Sequence, residues 1–112
     1  MRALGLAIAL STAPVPAMSD QNLSAFELLD ACGRTSEAWV SFCHGYIQAV
    51  YDTSTLAGVY ICPPEGTTRA AMAQTVYEGL LFLSTQTGIA ELEQADGASL
   101  SATIMADQFP CD

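Results

Sequence analysis

Apolar positions along the chain recur at helical rather than alternating spacing, and they predict four helices. The first opens at Ser24-x-x-Glu27, where the serine side chain accepts from the backbone three residues on and the glutamate reaches back. Phe26, Leu28, Leu29 and Cys32 give it an apolar side, and Gly33 supplies a glycine end. The second follows Thr35 or Ser36 as cap and runs to about Thr53. At about 100° per residue, Glu37, Ser41, His44, Gly45, Gln48 and Asp52 share one narrow polar stripe. Trp39, Val40, Phe42, Cys43, Tyr46, Ile47, Val50 and Tyr51 fill the remaining circumference. A helix so widely apolar is expected at the centre of its domain.

From Asp52 to Gly66 the residues Gly58, Cys62, Pro63, Pro64 and Gly66 carry loop chemistry. The run Leu56–Ile61 could form a strand but has no second run to pair with. Thr67 or Thr68 caps a third helix to about Gln86, with Met72, Val76, Leu80 and Leu83 as its core stripe and Gly88 beyond its end. Leu81 and Phe82 lie off that stripe. They are expected either at a homodimer interface or in a broad groove of the monomer. Gly88–Gly97 reads as a loop carrying Glu91, Glu93 and Asp96. Asp96 also caps a last helix with Leu100, Ile104 and Met105, which Pro110 stops. The expected fold is all-α, a small bundle of about four helices.

The first residues alter the count of domains. Arg2, the apolar Ala3–Leu10 and the small-residue stretch ending Val15-Pro16-Ala17 have the layout of a signal peptide cut after Ala17. The alternative is a first buried helix over Ala3–Leu10. A spanning anchor needs about 20 apolar residues, more than the chain offers. The expectation is a leader over residues 1–17 and one helical domain over 18–112, exported to the periplasm. Four cysteines, Cys32, Cys43, Cys62 and Cys111, then read as two disulfides. Zinc sites usually bring a close C-x-x-C pair, and none occurs here. Of three possible connectivities, a fold-back of the loop after the second helix favours Cys43 with Cys62. Cys32 is then left for Cys111, which would pin the chain end.

Charge removes several function classes. The chain has 12 Asp and Glu against 3 Lys and Arg, all of them arginines, for a net charge of −9. Nucleic acid and anionic lipid both need clustered cations, so neither is an expected partner. An acidic surface favours basic protein partners, or simply keeps an apolar exported chain soluble. Catalysis has little footing. His44 is the one histidine, and its neighbour Cys43 projects about 100° away on a helix, too far round to form a nucleophile–base pair. No phosphate-loop or calcium-loop pattern appears, and no cofactor is expected. The chain reads as a binding protein, not an enzyme.

The residues so assembled form a series: Cys32; Phe42-Cys43-His44-Gly45-Tyr46-Ile47-Gln48-Ala49-Val50-Tyr51-Asp52; Ile61-Cys62-Pro63-Pro64-Glu65-Gly66; and Phe109-Pro110-Cys111. This resembles the resistance-associated-protein/Tai immunity family, with its C…FC-x-GYI-x-G-x-x-D…IC-x-P-x-G…FPC framework, from about Leu28 to Cys111. Ala49 stands where a helix glycine is common, and Leu81-Phe82-Leu83-Ser84-Thr85 where a more polar stretch is usual. The resemblance implies a periplasmic helical protein, often a homodimer, that neutralises a peptidoglycan amidase effector of type VI secretion by occupying its cleft. Family members use a protruding loop together with a helix of the dimer. Glu91, Glu93 and Asp96 on Gly88–Gly97 match that loop best. Two other readings stay open: an acid-stress periplasmic chaperone of the Hde type, and a structural or lipid-handling periplasmic module.

Overall fold

A computed structural model describes residues 22–112. The expected leader over residues 1–17 and its cleavage after Ala17 lie outside the described residues. Within the described residues five α-helices follow one another: α1 (Ala25–Cys32), α2 (Glu37–Thr53), α3 (Arg69–Gln86), α4 (Ile89–Gln94) and α5 (Gly97–Gln108), with a 3₁₀ turn at Ser54–Ala57. Among the described residues there is no strand, only an isolated antiparallel bridge between Ser24 and Asp96. The all-α expectation holds.

The start of α1 forms as its sequence dictates. The Ser24 hydroxyl accepts from Glu27 N at 3.0 Å, and Ser24 N donates to the Glu27 carboxylate at 2.9 Å. Thr68 and Asp96 cap α3 and α5 by accepting from Ala71 N and Ser99 N. Ser36 caps α2 without a side-chain hydrogen bond. At the end of α1, Gly33 is right-handed, so the left-handed freedom of glycine is not what stops that helix. It is used instead at Gly88, whose φ of +96° turns the chain from α3 into α4.

Eight residues are too few for a helix to persist in water without tertiary support. The support of α1 comes from all sides, for it packs against α2, α3, α4 and α5. Ala25 and Leu28 are fully buried and join Cys43, Ile47, Met72, Val76, Leu80, Leu92, Ile104 and Met105 in one core. At the entry to α1, Ala25 N donates to Ala95 O at 2.9 Å and Gly97 N donates to Leu23 O at 2.8 Å. The starts of α1 and α5 are thereby bonded to each other.

Two expectations are corrected. The disulfides join Cys32 to Cys43 and Cys62 to Cys111, not Cys43 to Cys62 and Cys32 to Cys111. The short turn after α1 brings α2 back past the end of α1, leaving the Cα atoms of Cys32 and Cys43 5.1 Å apart. The segment after the 3₁₀ turn runs instead to the chain end, where Cys62 N donates to Phe109 O at 2.8 Å. The C-terminus is pinned, but by Cys62. With sequence separations of 11 and 49, the two links restrict the unfolded chain by about 3 and about 4 kcal/mol in the chain-entropy account.

The second correction concerns Gly88–Gly97. Its middle is not loop: Ile89–Gln94 folds as α4, with Leu92 buried beneath it. The run Leu56–Ile61, which has no second run to pair with, forms no strand, and its first part belongs to the 3₁₀ turn.

The bonded helix starts leave no room at Gly97. A Cβ there would lie 2.8 Å from Leu23 O and 3.1 Å from Ser24 O, both backbone atoms. Gly97→Ala is expected to cost about 1–3 kcal/mol in urea unfolding. Gly45→Ala, mid-helix on α2 with nothing within 4 Å of the added carbon, is expected to gain about 0.5–1 kcal/mol. Equal effects at the two sites would contradict this account of the crossing.

Candidate functional site

The acids predicted to meet a partner do not form one cluster. Glu91 and Glu93 lie either side of the buried Leu92 on α4, and both are exposed. Alternate positions on a helix project well apart, so they present two separated charges. Asp96 is half-buried and already engaged, its carboxylate accepting from Ser99 N at 2.9 Å. Its negative charge also acts on Tyr46. Burial first, and Asp96 second, hold that phenol above its ordinary pKa of 10.0. Asp96 is thus a structural cap beside the acidic face rather than part of it.

Leu81 and Phe82 stand on the outer side of α3, 45 % and 62 % exposed, while Met72, Val76 and Leu80 face the core. Phe82 borders a groove of about 400 Å³ with Leu83, Leu100, Ile104 and Gln108, where α3 meets α5. The monomer does not bury this pair. The groove arises because α3 and α5 approach closely: a Cβ on Gly79 would lie 2.7 Å from the Ile104 side chain.

A third surface was not foreseen. α2 was expected to be buried nearly all round, yet only Cys43 and Ile47 are buried along it. Trp39 and Phe42 are 38 % and 40 % exposed, and Val40 is exposed too. α1, less than half as long as α2, meets the first turns of that helix only across an open groove. Trp39 and Phe42 stack edge to face with ring centroids 5.7 Å apart, and Phe42 leans on Tyr46 at 5.9 Å. Between these rings and α1 runs an apolar groove of about 470 Å³, lined by Leu23, Phe26, Glu27, Asp30, Trp39 and Phe42. The spacing 39, 42, 46 was visible in sequence, but periodicity alone does not distinguish a core stripe from an uncovered one.

Arg34 contacts two of the lining residues, Asp30 and Trp39. Its guanidinium lies 4.8 Å from the Trp39 ring centroid and donates to Asp30 at 2.9 Å. Both charged side chains are about half exposed, so the ion pair adds little stability. Its effect is to hold Trp39 in place.

His44 is half-buried and borders a small pocket with the Cys32–Cys43 link, Gln74 and Tyr77. Both neighbouring sulfurs are committed to the disulfide. No group of three His, Cys, Asp or Glu side chains that could hold a metal is present among the described residues. No described helix is long and apolar enough to cross a membrane.

The described residues form a doubly disulfide-linked helical domain with exposed aromatic and acidic side chains. The family model for Rap1a immunity proteins matches residues 24–111, from the cap of α1 to the last cysteine, and the chain belongs to that family. Membership implies a protein effector as partner, and the family is generally exported and non-enzymatic. No curated protein and no solved structure matches the chain.

If the aromatic row of α2 is surface, truncating it should spare the fold. Phe42→Ala is expected to change unfolding free energy by less than about 1 kcal/mol, against a loss of about 2–5 kcal/mol for Ile47→Ala. Urea denaturation of the two variants measures the difference. Comparable losses would place Phe42 in the core.

Proposed function

We propose that the chain is a periplasmic immunity protein that binds and inhibits a peptidoglycan amidase effector of type VI secretion. The observation that carries the reading is the family match across the whole helical domain, including all four cysteines. Disulfides suit an oxidising compartment, which is where a cell-wall amidase acts. The leader over residues 1–17, cut after Ala17, supplies the export route. A net charge of −9 speeds encounter with a basic surface around a substrate cleft.

In this reading the exposed Glu91 and Glu93 on α4 meet the effector, with Asp96 fixing the helix start behind them. Leu81 and Phe82 form the homodimer contact. A dimer would bury an apolar pair that the monomer leaves in water. The acidic chaperone reading needs apolar surface released by acid, whereas the apolar surface here is already exposed in the folded chain.

The test is inhibition. The oxidised mature protein is titrated against a type VI amidase effector, and cleavage of peptidoglycan fragments is followed by chromatography. A one-to-one complex that abolishes cleavage is expected, and undiminished cleavage at saturating protein would overturn the proposal. Glu91→Lys with Glu93→Lys is expected to weaken the complex at least about tenfold, mostly through slower association at low salt. Unchanged affinity would remove α4 from the interface. Phe82→Glu is expected to shift sedimentation from dimer to monomer with helical content retained. A wild-type protein that sediments as a monomer at the highest concentrations would remove the dimer.

A further inference from the structure

The groove between α1 and the first half of α2 belongs to neither surface assigned above, and its chemistry is specific. One wall is Trp39 with Phe42, which leans on Tyr46 behind it, and the other is Phe26 with Leu23. Tryptophan is among the residues that dominate binding energy at protein interfaces. Trp39 is held between Phe42 and the Arg34 guanidinium over its ring, so little side-chain freedom is lost when a ligand enters. The volume, about 470 Å³, accommodates one or two large side chains, not a folded domain.

The charges along the rim select what enters. Arg34 donates to Asp30 through both Nε, at 3.3 Å, and Nη2, at 2.9 Å, which cancels that carboxylate locally. Glu27 is then the surplus charge. Its Oε1 accepts from Ser24 N, and no hydrogen bond engages its other oxygen among the described residues. An apolar floor with a carboxylate on its rim favours an apolar side chain next to a cation and disfavours one next to an anion. The field of the whole chain has the same sign.

We infer that this groove docks a bulky apolar side chain flanked by lysine or arginine on the protein partner. For the identity of that partner the inference rests on the immunity reading; for the chemistry it rests on the groove alone. Trp39 is the chain's one tryptophan, so its indole reports occupancy directly.

Two experiments separate the two foundations. In the first, the indole N–H of Trp39 is followed by NMR during titration with the capped tripeptides Lys-Phe-Lys and Glu-Phe-Glu. A saturable shift with the basic peptide, at least about fivefold weaker with the acidic one and lost in Phe42→Ala, is expected. No saturable shift, or equal response to both peptides, overturns the inference. In the second, amidase affinity is compared for the wild type, Trp39→Ala with Phe42→Ala, and Glu27→Gln, which keeps the capping geometry. The double variant is expected to bind at least about thirtyfold more weakly, and Glu27→Gln about three- to tenfold more weakly at low salt. Leu56→Ala with Tyr60→Ala, equally apolar and exposed elsewhere, is the control and is expected to bind as the wild type does. Undiminished affinity of the aromatic double variant overturns the inference even where the peptide binds. A wild type that binds no amidase overturns the immunity reading instead, and the peptide titration then decides the groove by itself.

Discussion

Between Leu23 and Gly97 the chain crosses itself once, antiparallel, through two backbone hydrogen bonds that tie the start of α1 to the start of α5. The first N–H groups of a helix have no partner inside the helix. Here part of that deficit at each helix start is met by the other strand of the crossing. Ser24 and Asp96, the two caps, stand opposite each other, so the side chains complete what the backbone begins. Such a crossing tolerates no side chain at Gly97. Its consequence is positional. Once the entry of α1 is fixed, its buried Ala25 and Leu28 set where the other helices lie.

The far end of α1 is held covalently. Cys32 is its last residue, and the link to Cys43 holds that end against α2. A domain of this size buries a modest core and gains much of its margin from such links. The second link acts at the periphery, tying the chain end to the segment after the 3₁₀ turn, where both sulfurs belong to exposed residues. One disulfide therefore orients the helix that carries the aromatic row, while the other keeps α5 from fraying.

The helix starts were legible because capping is local chemistry. Ser24 with Glu27, Thr68 and Asp96 each declare a boundary within four residues, and the structure places each cap where that chemistry puts it. The same is true of the core stripe of α3. What local pattern could not carry was anything set by chain path. The cysteine pairing depends on where the segment after the 3₁₀ turn runs, which Phe109 O decides across some fifty residues. α4 was missed because six residues rich in glutamate show no period, and a single buried Leu92 decides their fold. At Trp39 and Phe42 the spacing gives the helical face but not its burial, because apolar character signals a need for cover without saying which molecule supplies it.

That distinction bears on function. The acidic residues of this chain are spread over the surface and act over distance, so they raise encounter rates and exclude anionic partners without fixing a pose. A pose requires desolvated contact between shaped surfaces, and the described residues offer that in two places, the α1–α2 groove and the Phe82 face. They are built differently. Phe82 stands largely exposed at the border of the α3–α5 groove, with no aromatic or cationic side chain bracing its ring among the described residues. The Trp39–Phe42 groove is concave, with its rings braced by Arg34, the geometry of a receptor. A protein that must hold one partner against competition from every other basic surface gains more from the braced concavity. Charge alone is weakened by salt, whereas apolar contact in a fitted groove is not.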